Sequence, residues 1–125
     1  MPKIMKNILF SLTILFSPFA AASNWVQVND SATPLNVNLN SLEQKLWSFV
    51  ATQSKVKFQS KDTYTFQYKT INDSELYINA LCNTHGASDL MSEFIVVDDG
   101  GSCYFQATYN FKTGAFVKLE VNGEA

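Results

Sequence analysis

The residues best equipped for chemistry in this chain are Cys82, His85, Asp98, Asp99, Ser102 and Cys103. His85, the only histidine, follows Cys82 by three positions, and an imidazole beside a thiol can activate it as a nucleophile. Asp98 and Asp99 precede Gly100 and Gly101, which is the raw material of a cation-binding loop. Each of these possibilities fails on number or pattern. A calcium loop needs about six oxygen ligands at regular spacing, and no glutamate follows the aspartates at the required distance. Asp89 or Glu93 would have to complete such a site from the preceding segment. One histidine cannot build a zinc site without several further ligands. No Gly-x-Ser-x-Gly elbow surrounds Ser102, and phosphate loops, dinucleotide fingerprints and haem attachment motifs are absent. The expectation is a protein without catalytic residues, cofactor or metal.

The two cysteines are better explained as a pair. Lys3 and Lys6 lead an apolar run, Ile8 to Phe16, followed by Pro18 and the small residues Ala20-Ala21-Ala22. This is the pattern of a secretory signal peptide over residues 1–22, and the run is too short to span a bilayer. Export would place Cys82 and Cys103 in an oxidising compartment, periplasmic or extracellular, where a disulfide between them is the expected outcome. Such a bridge consumes the thiol that His85 would activate.

The elements that must position these groups follow from hydrophobic periodicity. Residues 23–40 read as an extended N-terminal segment, with Trp25, Val26 and Val28 in one piece and Leu35, Val37 and Leu39 in a second, alternating one. The second piece is expected along a sheet edge or threaded into a partner. Ser41 with Gln44 three residues later makes a capping box. Leu42, Leu46, Trp47, Phe49 and Val50 then share one face, which predicts a helix over 41–54. Beyond it the period becomes two. Val56 and Phe58, then Tyr64, Phe66 and Tyr68, alternate with polar residues. Leu76, Ile78, Ala80 and Cys82 share a face, as do Cys103, Phe105, Ala107 and Tyr109, and then Val117, Leu119 and Val121. Asn72-Asp73, Asp99-Gly100 and Lys112-Thr113-Gly114 are the turn signals, the second read as a hairpin holding Asp98 and Asp99 at its tip. One helix and four or five antiparallel strands, over residues 41–125, make a single α+β domain with the helix across one sheet face. Both cysteines fall on the core face, which favours their pairing.

This order of elements resembles the cystatin-like layout of a helix on a curved meander. The resemblance covers most of the chain beyond residue 22, as an order of elements only. No Gln-Val-x-Ala-Gly segment is present, so no site residue is carried over.

Composition narrows the partners. There is no arginine, and beyond residue 22 seven lysines face eleven acidic residues. Nucleic acid and anionic membranes are poor partners for that balance. A basic protein is a better one. Tyr77, Tyr104 and Phe116 fall opposite the assigned core, where loops or the N-terminal segment cover them or where they form a partly exposed aromatic face for a partner. The leading expectation is therefore a binding protein, an inhibitor or immunity partner of a lytic or toxic hydrolase, with Asp98, Asp99, Tyr104 and His85 as contacts. Two other readings stand beside it. One is a small-molecule carrier with a pocket lined by Trp47, Phe49, Phe66 and Phe105. The other is a subunit of a surface assembly.

Overall fold

The computed structural model describes residues 24–29, 37–84 and 89–123. The expected signal peptide, His85 and Leu35 lie outside them. Five strands form one sheet in chain order: β1 (Trp25–Gln27), β2 (Thr65–Thr70), β3 (Glu75–Leu81), β4 (Tyr104–Asn110) and β5 (Ala115–Val121). β2 to β5 form an antiparallel meander, and β1 adds to its edge in parallel, Trp25 opposite Phe66 and Gln27 opposite Tyr68. Between β1 and β2 runs α1 (Leu39–Gln53), the one α-helix among the described residues. The first of the two expected extended pieces thus becomes the sheet edge, while Leu39 of the second opens the helix.

α1 begins two residues before the predicted start. Asn38, not Ser41, is the N-cap: its side-chain oxygen accepts the Ser41 N–H at 3.0 Å. Asparagine competes well with serine at this position, so two candidate caps in one polar run made the boundary ambiguous. Leu42, Leu46, Trp47 and Val50 are buried, as their spacing demands. They pack on Phe66, Ile78, Ala80, Phe105 and Ala107 from the sheet. Trp47 is the hub, meeting Phe58, Tyr64, Phe66 and Phe105 edge-on at centroid distances of 5.2–6.2 Å. Phe49 turns aside to stack on Phe116 at 5.3 Å. Glu43 accepts a hydrogen bond from the Trp25 indole at 3.1 Å, tying the helix to β1.

Two expectations are corrected here. Lys55 to Ser60 is irregular rather than a strand, and of its alternating pair only Phe58 joins the core while Val56 is exposed. Ser102 holds this stretch by donating its hydroxyl to the Lys57 carbonyl at 2.7 Å, and Tyr64 donates to the Ser102 carbonyl at 2.7 Å. On β5 the alternation holds for Leu119 and Val121, which pack against the core, and fails at Val117 and Phe116. Thr108 pairs with Lys118 but Tyr109 with Phe116, so Val117 is an extra residue, a β-bulge. The bulge shifts parity by one. Phe116 and Leu119 both turn to the helix side, and Val117 is left 54% exposed.

The turns expected at Asn72 and Lys112-Thr113-Gly114 are present. The Asn72 side chain accepts from the Ser74 and Glu75 amides at 2.9 and 2.8 Å, and Asn110 does the same for Lys112 and Thr113 at 2.9 and 3.0 Å. Cys82 and Cys103 form a disulfide with Cα atoms 4.9 Å apart, just past the last pair of β3 and β4, Leu81 with Tyr104. The alternation that put both cysteines on one face located the bridge.

Candidate functional site

The face of the sheet away from α1 carries an amide where an open face would carry charge. Gln67 of β2 stands opposite Asn79 of β3, which stands opposite Gln106 of β4. Gln67 is fully buried and Asn79 nearly so. A buried amide must spend its donors and acceptors on protein groups, because an unpaired one is costly. Gln67 spends all of them. Its Nε2 donates to the carbonyls of Leu90 and Glu93, both at 2.8 Å, and its Oε1 accepts from Asn79 Nδ2 and the Ile95 N–H, both at 2.9 Å. Asn79 Nδ2 also donates to the Ile95 carbonyl at 2.8 Å, and Gln106 donates to Asn79 Oδ1 at 3.3 Å.

What this amide ladder grips is the segment from Asp89 to Gly100, which crosses the sheet as a strap without regular secondary structure. Asp89 starts it by capping its own turn, accepting from the Met91 N–H at 3.3 Å and from the Ser92 hydroxyl. The Met91 carbonyl accepts from Asn29 at 2.8 Å, and Phe94 meets Tyr77 edge-on at 5.1 Å. Beyond the ladder, Asn122 at the end of β5 takes over. Its Nδ2 donates to the carbonyls of Val97 at 2.6 Å and Asp99 at 3.0 Å. A cavity of about 150 Å³ lies under the middle of the strap, between Phe94 to Val97 and the side chains of Tyr77, Asn79, Gln106 and Asn122.

The expected hairpin at Asp99-Gly100 is absent. Glu93 to Val97 is not a strand, so no second arm exists for a hairpin, and the two glycines instead turn the strap down into the 3₁₀ turn Gly101–Cys103. Both have positive φ, +95° and +62°. A Cβ on Gly100 would lie 2.5 Å from Cε2 of Tyr104, so glycine is required twice over there, by conformation and by close approach.

The geometry sorts the predicted contact residues. Asp98 and Asp99 are exposed on the strap. Tyr104 is 6% exposed and lies under Gly100, so it supports the strap from below rather than presenting its ring. Phe116 likewise belongs to the helix-side packing. Among the described residues, no three His, Cys, Asp or Glu side chains gather in a way that holds a metal ion, and no helix is long and apolar enough to cross a membrane. The residues that sequence reasoning missed are Gln67, Asn79, Gln106, Asn122 and Val96. A signal for the first three was present: three strands carry uncharged amides at positions that face away from the core.

Tyr77 completes the electrostatics of this face. Its burial and the nearby Glu120 carboxylate, in that order of importance, hold its phenol above the usual value of 10.0.

No protein-family model, curated protein or solved structure matches the chain.

Proposed function

We propose that this chain is a non-catalytic binding protein of an oxidising compartment, periplasmic or extracellular, and that residues 94–99 are its contact element. Its partner is a hydrolase that it inhibits, or to which it confers immunity. The observation that carries this reading is the alternate clamping of the strap. The carbonyls of Ile95, Val97 and Asp99 are each held from behind by an asparagine, while the residues between them, Val96 and Asp98, face solvent. A segment held at every second residue loses little further entropy when it docks, which is where an inhibitory loop gains its affinity. The disulfide beside it suits an exported protein.

Charge supports the same assignment. Asp98 and Asp99 are exposed, and neither makes an ion pair among the described residues, so both are available to a basic cleft. The test is affinity capture from envelope extract and culture supernatant, comparing wild type with Asp98→Ala/Asp99→Ala. The expected result is one basic hydrolase recovered in stoichiometric amount by wild type and depleted at least about tenfold with the variant. Equal recovery by both proteins would remove the strap from the role of contact element.

A further inference from the structure

The main chain of the strap says more about the partner than its charges do. Among the described residues, Val96 and Asp98 make no hydrogen bond, through side chain or backbone, whereas the residues on either side are anchored to the scaffold. Unpaired N–H and C=O groups on exposed residues are what a chain can offer to a protein that pairs with it main chain to main chain. A cleft built for glycan or lipid has no use for them. Val96 is also the most exposed of the large apolar residues among those described, at 82%, ahead of Met91 at 60%. It sits between the two sets of clamps, Gln67 and Asn79 before it and Asn122 after it.

Resting on the reading above that this strap is the contact element, we infer that the partner is an endopeptidase whose cleft takes the chain around Val96 as it takes a substrate. Val96 fills its primary specificity pocket. Valine is short and branched at Cβ, so it fits a shallow apolar pocket and leaves a deep one unfilled. Asp98 and Asp99, on the carboxyl side of Val96, call for a basic rim on that side of the cleft. The clamps pre-set the chain, which is the condition for tight binding of a peptide that would otherwise be a weak, mobile ligand.

The experiment uses the full chain, exported on its own leader and purified oxidised. It measures inhibition of three purified serine endopeptidases with shallow apolar, deep apolar and acidic primary pockets. Wild type is expected to inhibit the shallow-pocket enzyme about 100-fold better than the acidic-pocket one. Val96→Lys is expected to reverse that preference, since a lysine at this position satisfies the acidic pocket and clashes with the shallow one. Asn122→Ala, which frees two of the clamped carbonyls, is expected to weaken inhibition about tenfold without changing which enzyme is preferred. Absence of inhibition of all three enzymes, or equal inhibition of the shallow-pocket enzyme by wild type and Val96→Lys, overturns the inference. If capture nevertheless depends on Asp98 and Asp99, the binding reading stands and only the endopeptidase falls. Loop-independent capture removes both.

Discussion

Replacing Gln67 by methionine tests whether the amide ladder holds the strap. The two side chains have similar volume, so the substitution leaves no cavity and isolates the hydrogen bonds. Four are lost: to the Leu90 and Glu93 carbonyls, and from the Ile95 N–H and Asn79 Nδ2. Asn79 keeps a second acceptor in the Ile95 carbonyl, and the Leu90 and Glu93 carbonyls can rehydrate, each net bond then costing about 1 kcal/mol. The Ile95 N–H is the group with no replacement, and leaving it unpaired costs about 1–3 kcal/mol. The total is about 4–6 kcal/mol, a large share of the stability of a domain this size. Urea unfolding should show that loss. Amide exchange should show where it falls: Ile95 should lose more than about tenfold in protection, while Ile78 and Phe105, in the central strands, remain protected until global unfolding. A loss below about 0.5 kcal/mol with Ile95 protection unchanged would refute the ladder as the support of the strap.

Three further outcomes follow from the structure. Replacing both cysteines by serine should cost about 3 kcal/mol, from the loop-closure entropy of a 21-residue separation; equal urea midpoints for oxidised wild type and the double variant would contradict it. On β5, Val117→Lys should change stability by less than about 0.5 kcal/mol, whereas Phe116→Ala should cost about 2 kcal/mol; the reverse ranking would place the bulge elsewhere. Burial raises the Tyr64 phenol despite the Gln59 N–H it accepts, and burial with Glu120 raises Tyr77, so both stay protonated in the folded state after the unfolded chain begins to ionise. Their contribution is complete below pH 10 and declines as pH climbs through the folded values. Tyr77→Phe should lessen that decline in urea unfolding between pH 9 and 11, and an unaltered slope would count against it.

Elements with strong period and local turn chemistry were legible in the sequence. The spacing of Leu42, Leu46, Trp47 and Val50 located the helix, and the alternation through Leu76, Ile78, Ala80 and Cys82, then Cys103, Phe105, Ala107 and Tyr109, located two central strands and their bridge. What failed did so for identifiable reasons. Alternation assumes a constant pleat, and a bulge at Val117 breaks that assumption without any local mark such as glycine. Asp99-Gly100 has hairpin chemistry, but a hairpin needs two paired arms, and the Gln67 and Asn79 side chains hold Glu93 and Ile95 at the backbone positions a neighbouring strand would need. The candidate site was half legible for the same reason. Asp98 and Asp99 announce themselves by charge, whereas Gln67, Asn79 and Asn122 look like ordinary surface amides until the segment they hold is seen lying across them. Tyr104 was assigned to the correct face; that the face is covered could not be read from its own strand.

The disulfide has a consequence for what happens if the strap is ever cut. Cys82 precedes it and Cys103 follows it, so the chain between them is a closed ring, and a break at any peptide bond inside opens the ring without releasing a fragment. A break beside Val96 would leave one new terminus gripped by Gln67 and Asn79 and the other by Asn122. The two ends would stay within reach of each other on the same surface. An enzyme that severed this segment would gain little room to let go, and the nicked protein would still present nearly the shape that brought the enzyme there.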